Sequence, residues 1–209
     1  MYQLNADAAR KADTTGGAIK ELGKYVGAFT QAVDITAKTG TKGIAFDFIT
    51  QAGQKAKLTL YTKKSNGDLI SGFDTVMAIM TCMGLRNITE KHGTVTRYDY
   101  DTQQDVKEPG MVFAELCKPI GVLLETEDYI KQDGDTGTRV VLKSVFQANT
   151  ELTASEILDR KTVPQQLEKM VQGLRHRPVK GALKHAPMPS RTNSDYPDMP
   201  SDDDGSIPF

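Results

Sequence analysis

Several cations and phenol rings in this chain are spaced so that they could act together. Between Lys55 and Lys63 polar and apolar residues alternate, which puts Lys57, Tyr61 and Lys63 on one face of a strand, with Lys64 just past its end. Two cations thus flank one ring. Arg97, Tyr98 and Tyr100 form a second basic-aromatic group, Lys38 and Lys42 sit in a turn, and Arg139 and Lys143 fall on one face of a later strand. Rings offer faces on which bases stack, at about 1–3 kcal/mol per base, and Lys and Arg neutralise phosphates along a backbone. Any one of these residues is equally an ordinary solvated side chain on a sheet; their joint presence is what points to a single strand of nucleic acid. The chain has no Trp, so Tyr and Phe would have to do the stacking.

Catalytic readings have less support. The histidines, His92, His176 and His185, give no paired spacing for zinc and have no companion Cys pair. Gly40-Thr41-Lys42-Gly43 lacks both the preceding glycine and the following Ser or Thr of a phosphate-binding loop, and reads as a turn. Glu125 and Glu127 alternate onto one strand face near Asp128, and with Asp47 or Asp99 they make the best case for a metal-dependent nuclease, but no third ligand has a defined spacing. The expectation is a protein that is not an enzyme and holds neither metal nor cofactor.

The last nine residues carry chemistry of another kind. Asp202, Asp203 and Asp204 keep the terminus hydrated, and Ile207, Pro208 and Phe209 end it with an apolar ring beside a terminal carboxylate. A partner pocket with an apolar floor and a basic rim would accept that combination, so the segment reads as a docking peptide. Residues 181–209 hold five acids against Lys184 and Arg191, a balance of −3 in a chain whose total is −1, which leaves a weakly positive body of +2. A small total can still place Lys and Arg on one face, and that placement matters more for phosphate binding.

The elements that must position these residues follow from periodicity. A β-permissive stretch from Tyr25 to Thr36, a turn at residues 37–43, an alternating run from Ile44 to Thr50, a turn at residues 51–54 and the Lys55 to Lys63 run make a three-strand meander. Leu58 and Leu60 should face Ile44, Phe46 and Phe48 in the core. A helix is expected from Phe73 to Gly84, then a polar hairpin or long loop from Ile88 to Tyr100, and a short apolar element from Val112 to Leu116. Two strands follow, Ile120 to Lys131 and Thr138 to Gln147, joined by a turn at residues 132–137. Thr153-Ala154-Ser155-Glu156 resembles a capping box opening a short helix, and Pro164 should begin a second helix through Leu174. Prolines at 178, 187, 189, 197 and 200 and the lack of apolar periodicity make residues 178–209 a disordered tether. The divisions are then a 1–22 extension, a 23–150 strand-rich domain, a 151–177 helical segment and the 178–209 tether with its tip. Cys82 and Cys117, each in an apolar context, read as reduced core thiols, and the expectation is a chain without a membrane span that is not exported.

Three meandering strands, a helix and a final hairpin are the order of a five-stranded Greek-key barrel of the oligonucleotide-binding (OB) type. The fold class expected is therefore mainly β, with an intervening helix, C-terminal helices and an acidic tail. The tip resembles the acidic C-terminus of bacterial and phage single-stranded DNA-binding proteins, in which a run of Asp precedes Ile-Pro-Phe; here Gly205-Ser206 lengthens the spacing. Residues 23–85, with the Lys-Thr-Gly-Thr-Lys-Gly turn, resemble phage and prophage proteins with that barrel. The resemblance implies non-specific binding of single-stranded DNA in phage replication or recombination, in the cytoplasm of a bacterial host, with host or phage enzymes recruited through the tip. An adaptor that captures those enzymes without binding DNA is the alternative. The sequence leaves the oligomeric state open, a homo-oligomer included.

Overall fold

The structure is a computed structural model and describes residues 16–99, 102, 104–131 and 133–179. Its first three strands are β1 (Gly23–Thr36), β2 (Lys42–Thr50) and β3 (Lys55–Lys63), an antiparallel meander in which Phe46 faces both Ala32 and Leu58. The alternation of β3 is met in full: Ala56, Leu58 and Leu60 are buried while Lys57, Thr59, Tyr61 and Lys63 are exposed. In β1 a bulge at Thr30 breaks the period. Phe29 and Ala32 lie three apart, so in a regular strand they would face opposite sides; the extra residue lets both enter the core and turns Gln31 outward. Phe29 then packs on Phe46, with centroids 4.5 Å apart, and edge-on to Phe48 at 5.9 Å.

Helix α1 (Ser71–Cys82) follows and buries Val76, Ile79 and Met80 against the sheet. Beyond it the chain forms a hairpin of β4 (Lys91–Asp99) and β5 (Gln104–Val112). This corrects the expectation of a polar hairpin or loop ending at Tyr100: the partner strand is β5, whose Lys, Glu, Pro and Gly residues give no apolar alternation. A 3-10 turn (Ala114–Leu116) leads into a second long hairpin, β6 (Pro119–Ile130) and β7 (Thr136–Phe146). Helices α2 (Ala154–Leu158) and α3 (Leu167–Gln172) and a short β8 (His176–Arg177) complete the described chain.

The sheet runs β3-β2-β1-β5-β4, with β6 joined to β1, β7 and β8. Strand β1 divides one edge between two neighbours, giving Gly23 to Ala28 to β6 and Val33 to β5. Past Leu124, the partner of the first β1 residue, β8 takes over the same edge of β6 in parallel, at Thr126 and Glu127. The strands thus form an open, mainly antiparallel sheet and not the closed barrel expected: β3 and β7 approach each other, but no ladder among the described residues joins them. Part of the β3 edge is covered instead by residues 17–19, where the Ile19 amide donates to the Lys55 carbonyl and the Lys55 amide to the Gly17 carbonyl, both at 2.8 Å. Ile19 is buried in the main core.

A second, smaller core lies where Leu123, Phe146 and Leu167 meet under α3. Gly121 faces Phe146 across the ladder, and a Cβ there would lie 2.1 Å from the ring, so only glycine fits. Glu156 anchors the α2–α3 region. Its fully buried carboxylate accepts from the Thr153 amide at 2.9 Å, the Gln165 amide at 2.6 Å and the Gln166 amide at 3.0 Å. The backbone bond from Thr153 is the main cause that pulls its pKa down to about 2. The capping box is thus present, while the second helix starts at Leu167, later than Pro164 suggested. Cys82 is buried and its thiol is pushed up to about 11 by burial; Cys117 is exposed, contrary to expectation, because it follows the 3-10 turn at the surface.

Candidate functional site

Outward residues of the meander form one side of a large groove of about 1410 Å³. Strand β3 contributes Lys55, Lys57, Thr59 and Tyr61, and β7 contributes Thr138 to Val141 across the unpaired seam. Residues 16–20, with Lys20 among them, line the same space. Of the cation-ring residues singled out by sequence, Lys57, Tyr61 and Arg139 therefore come together. Tyr61 is 43% exposed, enough to present a ring face to a ligand.

The groove is roofed from the β4 side by one side chain. Gln31, turned outward by the β1 bulge, accepts from the Thr96 amide at 2.7 Å and donates to the Thr96 carbonyl at 3.1 Å. It also donates to Asp47 Oδ2 at 3.1 Å. One amide thus satisfies both backbone groups of a β4 residue and ties the hairpin's free edge to the meander. Thr96, and Asp105 of β5, line the groove. Asp47 lies opposite Lys57 in the β2–β3 ladder. Burial is the larger cause that raises the Asp47 carboxyl, with Lys57 opposing and Asp105 adding to the rise.

The remaining predicted cations divide into three places. Lys38, Lys42, Lys63 and Lys64 are exposed at one end of the meander, where Lys42 is in register with Lys63 and the first turn meets the β3–α1 loop at Gly40 and Ser65. Lys64 has Asp68 at 3.8 Å. Arg97 and Tyr98 are exposed on β4, adjacent in sequence and so on opposite faces of the hairpin; neither lines the groove. Lys143 is the extra residue of a bulge in β7 and lies 3.9 Å from Glu125, also away from the groove. Tyr100 and the tip residues Asp202, Asp203, Asp204, Ile207, Pro208 and Phe209 lie outside the described residues.

Of the acids weighed as metal ligands, Asp47 accepts from Gln31 and the three on β6 are committed to cations or hydroxyls. Glu125 is fully buried between Arg177 and Lys143. Glu127 binds Arg139 at 3.1 Å, and Asp128 accepts from Thr138 at 2.7 Å and contacts His176 Nε2 at 2.9 Å. Among the described residues no group of three or more His, Cys, Asp or Glu could hold a metal ion. His176 Nδ1 meets Thr126 Oγ1 at 2.9 Å, so hydroxyl, imidazole and carboxylate lie in series as in a nucleophilic triad. Thr126 is 6% exposed, however, and the series serves to fasten β8 to β6.

Sequence reasoning missed Lys55, Gln31, Asp47, Asp105 and Glu127 as groove residues. The period-two pattern already placed Lys55 with Lys57. Gln31 had no signal, since the bulge that turns it outward is decided by tertiary packing. No protein-family model matches the sequence, and neither does any curated protein.

Proposed function

We propose that the protein binds single-stranded DNA without sequence specificity and acts in phage-type replication or recombination. The observation that carries this reading is the groove holding Lys55, Lys57, Tyr61 and Arg139, where a half-exposed ring stands among cations supplied by two strands. Four further lysines, Lys38, Lys42, Lys63 and Lys64, extend the positive surface at one end of the meander. The order β1, β2, β3, α1, β6, β7, with β1 shared between β2 and β6, supports an OB-type arrangement opened at the β3–β7 seam, with the β4–β5 hairpin as an insertion. In this reading the acidic tip recruits replication or recombination enzymes while the groove holds the strand. Replacing Tyr61 by Ala should weaken oligo-dT binding roughly tenfold, the loss expected for one stacked base; unchanged affinity removes Tyr61 from the site.

One observation favours the adaptor alternative. Lys57 faces Asp47, Arg139 is bound to Glu127 and Asp105 lines the groove, so acids offset much of the groove's positive charge. A polyanion would have to displace them. In either reading, deleting Ile207 to Phe209 should abolish capture of partner enzymes from a bacterial lysate while leaving thermal unfolding unchanged, and retained capture would refute the docking role.

A further inference from the structure

We infer that Tyr129, which neither the spacing of charges nor the alternation of β3 marks out, is a second base-stacking platform beside the groove, next to its lining residues Glu127 and Arg139. The inference rests on the single-strand-binding reading and deepens it.

In the β6–β7 ladder Glu127 faces Arg139 and Tyr129 faces Gly137. Residues two apart on a strand share a face, so Tyr129, which does not itself line the groove, stands on the side of the hairpin that brings Glu127 and Arg139 to it. Its partner has no side chain. A Cβ at Gly137 would lie 2.8 Å from Tyr129 Cζ and 2.9 Å from both Cε1 and Oη, which means the ring lies across the glycine backbone and is backed by it. The Arg139 guanidinium carbon is 5.6 Å from the ring centroid. Although seated in this way, the residue remains 39% exposed, close to the 43% of Tyr61.

A ring backed by a glycine, 39% exposed and neighboured by a guanidinium has what a stacking platform needs: a π system held in place before the base arrives and a cation within reach of the adjoining phosphate. Cross-strand rings over glycine also pin sheet register, so the structural role must be separated from the binding role. The exposure of the ring and the adjacent groove-lining Arg139 argue for a ligand, since a register pin requires neither.

The absence of Trp from the chain supplies the test. Tyr61→Trp and Tyr129→Trp are each prepared as proteins with a single indole, and its emission is followed during titration with oligo-dT. Quenching in both variants, with Tyr129→Ala weakening binding roughly tenfold and Tyr129→Phe retaining it, is the expected result. Gly137→Ala should reproduce the loss with the tyrosine chemically intact, because it displaces the ring. If oligo-dT binds the wild type and quenches the indole of Tyr61→Trp, while that of Tyr129→Trp does not respond and Tyr129→Ala binds normally, this inference fails and the single-strand reading stands. If the wild type does not bind oligo-dT at all, both fall.

Discussion

Glu125 and Glu127 are two residues apart on one face of β6, and each faces cations, yet they belong to different regimes. The Glu125 side chain is 1% exposed and Arg177 and Lys143 converge on it. The Glu127 side chain is 30% exposed and its partner Arg139 is 59% exposed, beside the groove. The first is a structural clamp: a carboxylate taken out of water needs its cations, and Arg177 brings the end of the described chain back onto β6. The second is a surface pair of small net value, whose cation can exchange one anion for another. Residue identity does not distinguish them; depth does. The cations available to a phosphate are therefore fewer than the sequence count suggests: Lys143 faces a buried carboxylate, and Arg139 is held in a surface pair from which a phosphate would have to displace Glu127.

Substitutions separate the two pairs. The largest effect is expected for Arg177→Ala, which strands a buried carboxylate with only Lys143 nearby and should cost about 3 kcal/mol in urea unfolding; a loss under about 0.5 kcal/mol would erase the distinction. Glu156 sharpens it, being a buried acid held by backbone amides in place of cations. Its folded pKa of about 2 lies below its ordinary value of 4.5, so the stabilisation is complete above pH 4.5 and is lost as pH falls from there toward 2. Unfolding midpoints measured across that window should drop for the wild type and change less for Glu156→Gln. At the exposed pair the effects should be on binding alone. Arg139→Ala should change stability by no more than about 0.5 kcal/mol and make the salt slope for single-stranded DNA shallower by about 0.7, the share of one phosphate. Glu127→Gln should act in the opposite sense and tighten binding about threefold, as expected when a competing surface anion is removed; weaker binding would mean that Glu127 positions Arg139 for the strand.

Strands β2 and β3 and helix α1 were legible because each has one wetter and one drier face, so the hydrophobic effect writes a period into the sequence; β6, buried on both faces from Ile120 to Thr126, was legible as an apolar run ahead of a turn. Strand β3 is the clearest case, and its face assignments hold at every residue from Ala56 to Tyr61. Strand β5 was invisible for the converse reason. From Gln104 to Pro109 it is exposed on both faces, and only its end, from Gly110 to Val112, is partly covered. The groove was legible in part. Lys57 and Tyr61 follow from alternation, but Gln31 depends on a bulge that exists to bring Phe29 and Ala32 inside together, and the companionship of Arg139 with Tyr61 depends on which strands flank an open seam. Such long-range placement leaves no local pattern. Charge was misleading in the same way, since a cation's solvation and its ion-pair partner cannot be told apart along a chain.

The central claim is tested most directly by fluorescence anisotropy of a labelled oligo-dT titrated with the full chain at several salt concentrations, beside a matched duplex and an RNA strand. Binding that favours single-stranded DNA and weakens linearly in log salt, with a slope that falls by about 0.7 on Arg139→Ala, is the predicted result. Absence of binding at low salt, or equal affinity for duplex and single strand, would contradict it and leave the acidic tip as the functional element to pursue.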